Sequence, residues 1–559
     1  MNRTLKRVIL AGLCGMGMLS LAFGGAQKDA AAKGTTAALP NAAGKYDPAI
    51  EVTSVLGITD NSQWFKDGDT FENNIYTRRW LKDLGVKYRF LWTVPASQLE
   101  EKMNIMIASD DLPDMMNISR TNFEKLLKAG KLADLTDAVE KYGSPYLKSF
   151  LTGDFAGMRD TVTRNGRIYG LPNGMSYHDM TQGIWIRADW LKALGLPAPK
   201  TLVELEAVMD AFTNKDPDKN GKKDTYAIAL KGADLDSTTW GIRRVFFHTF
   251  GSFPGYWLKD SKGALQDGMF GPEFREGTKT SLKKLAEYYS KGYIHKDFGL
   301  FDENKLREEI ISGRAGIIFG DTWDPWGTLM LHKDADPSAD WLPVAIPTVA
   351  GKPGKMGSRA VDVWEVNVVN SKFRNPEALV IMSNLFHDLN NNPKTMEFNT
   401  YNTQPADNNQ MFLAYPLRVY NPKFNFEAYG FISEAMKTGD TKNLCEAFKS
   451  FYDQAKAYEE KGDKAGWPSY RTYTEGGIMA LTKYYNDNKL FQFDEYTAEP
   501  TQFMIENNPT IKKLYDEMFF KVVMGSSNIS EFDNFIAQYD RIYLATSSKE
   551  VNDWYKAKK

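Results

Sequence analysis

The residues whose types and spacing best match a known kind of chemical site lie in the segment 216–224, which reads DPDKNGKKD. Asp216, Asp218, Asn220 and Asp224 place side-chain oxygens at relative positions 1, 3, 5 and 9, and glycine stands at position 6. An EF-hand calcium loop has oxygen ligands and a turn-forming glycine at these positions, and its position 7 contributes a backbone carbonyl, here that of Lys222. The segment therefore predicts a structural Ca²⁺ site.

The match to an EF-hand ends before the last ligand. Where a full loop has a bidentate glutamate at position 12, this chain has Ala227, so that carboxylate would have to come from elsewhere or be absent. The alternative interpretation is a polar, Asx-rich turn between a helix and a strand.

A second kind of chemistry is indicated by aromatic rings beside polar side chains. The segment 320–326, GDTWDPW, brings Trp323 and Trp326 next to Asp321 and directly follows a predicted strand. Ligands of open α/β sheets bind beyond the carboxyl ends of strands, so we expect these residues in a ligand site. The alternative for each tryptophan is packing in the core, because tryptophan is highly buried on average.

Other predicted loops combine an aromatic ring with polar neighbours in the same way. For each of them, packing at the surface or in the core is the alternative to ligand contact. These further candidates are Tyr177, Trp240, Trp64 and Trp467.

Catalytic motifs are missing from the sequence. It contains no metalloprotease histidine pair, no Gly-x-Ser-x-Gly elbow and no phosphate-binding loop. A glycosidase is not excluded by this observation, because its two carboxylates can lie far apart in the chain. Cys445 has no flanking signature of a reactive thiol and is interpreted as a small buried hydrophobe.

The amino-acid composition narrows the class of protein further. The chain has 559 residues, 42% of them hydrophobic, which is enough for two or more domains with large cores. Its net charge of -2 argues against a nucleic-acid partner. The content of Phe, Trp and Tyr, 13%, is high, so some aromatic rings could form binding surface.

The N-terminus has the zones of a secretory signal. Arg3, Lys6 and Arg7 precede an apolar run that ends at small residues, which predicts a signal peptide over 1–26 and export to the periplasm or the outer face of the cell membrane. A lipid anchor at Cys14 is disfavoured, because Leu13 is bulky where lipoprotein signals have a small residue. Residues 27–45 are small and polar, which indicates a flexible tether.

The elements that must position these candidates follow an α/β pattern. Segment 50–58 is predicted as a strand, 75–84 as a helix closed by Gly85, and 86–92 as the next strand. The continued alternation predicts an open, mostly parallel sheet covered by helices. A capping box at Thr201 and Glu204 predicts the start of another helix, and 433–460 is predicted as one long helix.

Several local patterns together resemble the family of bacterial extracellular solute-binding proteins that serve ABC sugar transporters, in its long oligosaccharide-binding branch. The patterns occur in a fairly specific order over most of the body and become weaker after about residue 400. The segments that carry the resemblance are ASDDLPD at 108–114, GKLADL at 130–135, GRIYGLP at 166–172, IRADWL at 186–191 and SGRAG at 312–316.

The resemblance implies a two-lobed Venus flytrap fold of the α/β class, with lobes linked by crossing hinge segments and a helical C-terminal part. We expect lobe one to comprise 46–172 and about 320–400, and lobe two 173–319 and about 401–559. The implied function is non-enzymatic: a monomer that binds an oligosaccharide between its lobes and delivers it to an ABC transporter permease. The alternatives are an exported glycosidase or lyase and a receptor for a non-sugar solute such as a peptide.

Overall fold

A computed structural model describes residues 39–58, 68–233, 235, 240–404 and 409–558 of the chain. The predicted signal peptide with Cys14, most of the predicted tether, and Trp64 lie outside the described residues. The ordered body begins by Tyr46, whose side chain is buried and donates a hydrogen bond from its hydroxyl to Glu377 at 2.9 Å.

The first lobe is built on a sheet whose central strand, Val361–Val369, pairs antiparallel with Met115–Ser119 and with Leu171–Ser176. Beside it, Ile50–Ile58 pairs parallel with Val86–Pro95. Its shorter strands are Thr163–Arg164 and Arg167–Ile168. Its helices are Ile75–Arg79, continued by a π-helical turn at Trp80–Leu84, Leu99–Ser109, Arg120–Lys128, Thr136–Tyr142, Pro145–Ser149, Ala156–Val162 and Glu377–Asn390.

Local sequence explains the opening of this lobe. The Asn74 side chain and Thr77 form a capping box at the start of the helix Ile75–Arg79. Gly85 ends the helical segment with φ of 63°, a left-handed conformation that glycine adopts at low cost. A Cβ at Gly85 would also lie 2.1 Å from the Tyr46 carbonyl oxygen, so any larger residue would clash there as well.

The second lobe contains a four-stranded sheet in the order Trp341–Val344, Gly183–Arg187, Ala315–Gly320 and Tyr226–Ile228. Successive residues of its strands enter cores on opposite faces. Ile184 and Ile317 pack in one hydrophobic cluster, whereas Trp185 and Ile318 pack in the other. A sheet covered on both faces explains why these strands are continuous apolar runs.

Helices cover both faces of this second sheet and make up most of the C-terminal half. They are Ala188–Leu194, Leu202–Asn214, Ile242–His248, Arg275–Ser290, Glu303–Ile311, Thr328–Ala335, Phe424–Thr438, Glu446–Lys461, Trp467–Tyr473, Ile478–Asp487, Gln502–Val523, Ser530–Tyr539 and Ala545–Lys558. The short helix Phe398–Tyr401 lies between the lobes, with Tyr401 in the first-lobe core and Phe398 in a second-lobe cluster. The remaining short strands are Trp257–Lys259, Leu265–Asp267, Met356–Ser358, Thr403–Gln404, Asn409–Gln410 and Phe491–Phe493.

Three sequence-based expectations need correction. The sheets are mixed rather than mostly parallel, because strands that carry the chain between the lobes run antiparallel to their neighbours. The segment 433–460 does not form one helix, since Gly439 at φ of 74° ends the helix Phe424–Thr438 before Glu446–Lys461 begins. Residues 320–356 lie with the second lobe, because Trp341–Val344 pairs with its sheet.

The chain passes between the lobes at segments 177–182, 345–360 and 420–423. Between the last two crossings, Met396 and Phe398 reach from the first-lobe stretch of the chain into a second-lobe hydrophobic cluster. Asp179 ties the first and third of these crossings together. Its carboxylate accepts hydrogen bonds from the backbone N–H groups of Asn425 and Phe426, each at 2.9 Å, at the N-terminus of the helix Phe424–Thr438. The Asp179 carbonyl accepts a further bond from the Thr322 hydroxyl at 2.9 Å.

Candidate functional site

A deep cleft lies where the two lobes and the crossing segments meet. It has a volume of about 760 Å³ and is lined by the first-lobe strands Leu171–Ser176 and Val361–Val369, by the turn after the strand Ala315–Gly320, and by all three crossings. Its volume falls in the range of about 300–1,000 Å³ that is typical of ligand sites. Closure of such lobes about their crossings would change its width.

Each lobe contributes an exposed tryptophan to this cleft. Trp323 of the second lobe is 49% exposed and Trp364 of the first lobe is 39% exposed. Trp326 also lines the cleft but is held by a hydrogen bond from its indole Nε1–H to the Thr472 hydroxyl at 3.0 Å. Exposed indole faces in a concave site can stack on the apolar C–H face of a sugar ring.

Asp321 brings an unpaired carboxylate oxygen to the cleft wall. Its Oδ1 accepts a hydrogen bond from Gln182 Nε2 at 2.7 Å, whereas its Oδ2 is buried with no partner among the described residues. Burial raises the pKa of Asp321 to about 6, against the opposing effects of the Gln182 hydrogen bond and the Arg244 charge. A buried polar atom without a partner is costly, so this oxygen is suited to a ligand hydroxyl.

Asp324 holds the turn 320–326 in place through hydrogen bonds to the turn's backbone and to Trp240. Its Oδ2 accepts the Asp321 backbone N–H at 2.7 Å and its Oδ1 accepts the Trp240 indole N–H at 3.0 Å. Burial, reinforced by the nearby Asp321 carboxylate, raises the pKa of Asp324 to about 8. A Cβ at Gly320 would lie 2.1 Å from Asp324 Oδ2, so glycine is needed for this close approach.

Three arginines and several amides complete the lining. Arg359 donates to Asp362 at 3.2 Å and to Asp494 at 3.3 Å, so both neighbours fix its guanidinium. Arg418 donates to the Leu413 carbonyl at 3.0 Å, and Arg244 also lines the cleft. The amide side chains among the lining residues are Asn173, Gln182, Asn391, Asn402, Asn421 and Asn425.

Of the predicted ligand-binding residues, Trp323, Trp326 and Asp321 meet in the cleft, and the others that the structure describes do not line it. Trp240 is buried, with its indole bonded to Asp324. Trp467 is buried, and its indole N–H donates to Asp340 at 2.8 Å. For these two residues the packing alternative is correct.

Tyr177 lies at the first crossing but points away from the cleft. Its hydroxyl donates to Asn486 Oδ1 at 3.0 Å, and its ring packs against Phe491 and Phe493 with centroid distances of 4.8 and 5.0 Å. The remaining predicted residue, Trp64, lies outside the described residues.

The cleft also contains residues that the sequence did not single out. Trp364 is one of them, and alternation along its strand gave no signal for it. In a regular strand residue 364 shares a face with the buried Val366 and Val368, but a register shift between Val363 and Glu365 leaves Trp364 exposed. Arg359 and Arg418 gave no signal either, because their placement depends on how the crossings run.

The predicted calcium loop lies on the second lobe, between the helix Leu202–Asn214 and the strand Tyr226–Ile228. Asn220 Nδ2 donates to Asp218 at 2.7 Å and to Asp224 at 3.2 Å, and Gly221 N–H donates to Asp216 at 3.1 Å. Gly221 has φ of 74°, as the sixth position of the predicted loop requires.

The donor set is only partly that of a calcium loop. Three carboxylates and an amide share one small region, which suits a hard cation, but Ala227 is fully buried in the strand and supplies no twelfth-position ligand. Among the described residues, no group of three or more His, Cys, Asp or Glu side chains is already arranged to hold a metal ion. The Ca²⁺ site stays a prediction.

Comparison with known proteins identifies the family. The family model described as "Bacterial extracellular solute-binding protein" matches residues 61–384. The chain belongs to this family. A solute-binding family is consistent with a cleft of this kind between two lobes.

Curated relatives of this solute-binding protein match it over less than half of its length. The polygalacturonan/rhamnogalacturonan-binding protein YtcQ of Bacillus subtilis is 31% identical over 41% of this chain and 43% of its own length. The fructooligosaccharide ABC transporter substrate-binding protein FusA of Streptococcus pneumoniae is 27% identical over 47% of this chain and 48% of its own. The matched region thus spans less than half of each relative. Both relatives are named as binding proteins rather than enzymes.

Solved structures extend the likeness to nearly the whole chain at the level of fold. A protein from Bifidobacterium longum infantis, described as an "HMO binding ABC-transporter associated Solute Binding Protein", has a TM-score of 0.62 and 17% identity, covering 91% of this chain and 98% of its own. FusA in complex with kestose has a TM-score of 0.58 and 19% identity, with 91% and 100% coverage. The predicted two-lobed solute-binding fold is therefore confirmed.

The extracellular character of the family agrees with the expected export. In the part of the chain that the structure describes, no helix is long and apolar enough to cross a membrane.

Proposed function

We propose that this solute-binding protein is the substrate-binding component of an ABC importer and that it binds an oligosaccharide in the cleft between its lobes. The observation that carries the proposal is the combination of Trp323 and Trp364, exposed on different lobes, with the unpaired Oδ2 of Asp321 in one cavity. A sugar presents an apolar ring face and a rim of hydroxyls, which match aromatic platforms and polar side chains respectively.

The mechanism follows from the crossings. Ligand bound to both lobes would favour the closed form over the open form by its difference in affinity for the two. Asp179 holds two crossings and the Thr322 turn together, so that the hinge and one wall of the cleft move as a unit. A permease that contacts the rims of both lobes would then distinguish closed from open protein.

The names of the relatives support an oligosaccharide ligand. YtcQ is named for binding polygalacturonan and rhamnogalacturonan, and FusA for fructooligosaccharides. We propose the same class here, with the protein exported and working as a monomer. Its chemistry is binding alone, so the ligand leaves unchanged.

We further propose that the loop 216–224 binds Ca²⁺ in a structural role. The support is its spacing of oxygen side chains and the convergence of Asp218, Asn220 and Asp224 in the structure. The metal would supply the positive charge that three neighbouring carboxylates need, while Asp216 also accepts the Gly221 N–H and shapes the turn.

The deciding experiment is a titration of intrinsic tryptophan fluorescence and of heat against kestose, nystose, oligogalacturonides, alginate oligomers and a peptide mixture. We expect saturable binding of one oligosaccharide class, a higher melting temperature, and unchanged sugar after prolonged incubation. Cleavage of the sugar would favour the glycosidase or lyase alternative. Binding of the peptides alone would favour the receptor for a non-sugar solute.

A further inference from the structure

A second cavity, of about 690 Å³, lies next to the main cleft, between helices of the second lobe and the segment 398–403. We call it the rear groove. The two cavities share Trp326, Phe398, Thr403 and Phe451 as lining residues. They are therefore separated by no more than one layer of side chains.

The shared layer is mainly aromatic. Phe451 makes edge contacts with Trp326 and with Phe398, at centroid distances of 5.9 and 5.5 Å. Phe451 thus joins the other two rings in a wall whose two sides face two cavities. Such a wall can offer apolar surface to sugar rings on both sides.

The side of the rear groove opposite the aromatic wall is lined by polar side chains at regular helical spacing. Glu446, Lys449, Ser450, Asp453 and Gln454 follow the spacing of one helical stripe on Glu446–Lys461, and all five line the groove. Aromatic surface opposite a stripe of carboxylate, amide, hydroxyl and ammonium groups is the same pairing that the main cleft offers. The groove therefore suits a polyhydroxy ligand better than an apolar one.

The polar groups of the groove are also held in place. Lys464 pairs with Asp334 at 2.7 Å across one end, and Gln454 accepts a hydrogen bond from the Ser469 hydroxyl at 2.7 Å. In contrast, Asn399 Oδ1 is buried and has no partner among the described residues. An acceptor in this position lacks the donor that a bound hydroxyl would supply.

We propose that the rear groove is a second saccharide subsite, which binds the units of a ligand chain that extends from the main cleft past the Trp326–Phe398–Phe451 wall. The inference rests on the proposed function and adds to it a ligand class: chains longer than the main cleft alone can hold. The ends of such a chain would have different surroundings, one in the main cleft and the other between the helix Glu446–Lys461 and the segment 398–403.

The test is calorimetric affinity for two length series, oligogalacturonides and fructooligosaccharides, each from dimer to octamer. In the series that binds, we expect affinity to keep rising after the main cleft is filled. Asn399→Ala and Ser450→Arg, which respectively remove the unpaired acceptor and fill the groove, should each weaken the longest ligand about fivefold or more, the equivalent of one hydrogen bond. Both should leave the shortest ligand that binds unchanged.

Asn534→Ala is the matched control, because Asn534 is an exposed amide on a helix of the same lobe outside both cavities. Equal affinity of short and long ligands for the unmodified protein, or equal weakening of all lengths in both variants, would overturn the rear groove and leave the proposed function standing. Failure of every member of both series to bind would count against the proposed function and this subsite together. Melting curves of each variant show whether it is folded.

Discussion

The turn 320–326 and the loop 216–224 were both predicted from the sequence as binding sites, yet their polar groups are hydrogen-bonded differently in the structure. In the turn, Asp321 Oδ2 is buried without a partner in the described residues and Trp323 is half exposed in the cleft. In the loop, Asn220 donates to two aspartates, and backbone N–H groups of the loop donate to Asp216 and Asn220, so the polar groups are satisfied within the loop. An unpaired group inside a cavity is what we expect of a preformed ligand site, whereas bonding within the loop fits both the proposed Ca²⁺ site and an Asx-rich turn.

The largest expected effect concerns the loop. Saturating Ca²⁺, at about one hundred times its dissociation constant, should stabilise the protein by about 2.7 kcal/mol relative to chelator-treated protein. The measurement is unfolding by urea with and without Ca²⁺, with calorimetry of binding.

The double variant Asp218→Ala/Asp224→Ala should abolish this stabilisation. Asp260→Asn is the control, because Asp260 shapes another polar turn of the same lobe by accepting the backbone N–H groups of Lys262 and Ala264. No heat and no stabilisation in the unmodified protein would show that the segment is only an Asx-rich turn.

The next effect concerns the turn and the opposite wall. Trp323→Ala and Trp364→Ala should each weaken oligosaccharide binding by about 2 kcal/mol, roughly thirtyfold, because each removes an exposed ring from the cleft. Titration calorimetry measures the loss. Trp467→Phe is the control: its ring is buried and its indole bonds to Asp340, so it should lower stability without changing affinity. Normal binding by both cleft variants would mean that the ligand binds elsewhere.

A smaller effect is expected from the unpaired carboxyl of the turn. Asp321→Ala should weaken binding by about 1.5 kcal/mol, since it removes one hydrogen bond to a ligand hydroxyl from a buried acceptor. Asp137→Asn, an exposed change on a first-lobe helix, should have no effect on affinity. If Asp321→Ala binds as well as the unmodified protein, the buried oxygen is a structural feature of the turn and not a ligand contact.

The smallest expected effect is a pH dependence of stability caused by the buried carboxyl of Asp324 in the turn 320–326. Burial raises the folded-state pKa of Asp324 to about 8, well above its usual value near 3.8, so its contribution to stability is complete below the unfolded pKa and is lost as pH rises toward 8. The pKa of Asp179, raised to about 7, acts in the same direction. Asp324→Asn should reduce the fall in unfolding free energy between pH 7 and 8 by about 1 kcal/mol.

The titration of buried histidines does not overlap this pH range. The pKa of His332 and of His387 is lowered by burial to about 4, so both are neutral above pH 6.5 in the folded protein. Asp260→Asn is again the control, because hydrogen bonding lowers the pKa of Asp260 and the group stays ionised throughout. An unchanged pH dependence in Asp324→Asn would place the titration at another group.

Much of the local structure was predictable from the chain. The strand Ile50–Ile58 and the capping box of Thr201 with Glu204 occur as predicted, because each depends on neighbouring residues. Periodicity and capping act within one or two turns, and these signals are therefore present in any short window of sequence.

The sorting of the tryptophans was not predictable in the same way. Trp240, Trp323 and Trp467 all have polar neighbours in the sequence, yet only Trp323 of these three lines the cleft. The other two are buried because Asp324 and Asp340, distant in the chain, meet their indole N–H groups. Burial of a large amphipathic ring is decided by which partners the fold brings to it.

The sequence by itself determined the family pattern, most local elements and the spacing of oxygen side chains from Asp216 to Asp224, because all of these are encoded in residues close together in the chain. Only the tertiary structure decided which polar groups lack partners. Asp321 faces a cavity because three crossings bring two lobes together, and Asn399 lines the rear groove because the helix Glu446–Lys461 packs opposite it. Contacts between segments hundreds of residues apart depend on the topology of the crossings, which no local pattern records.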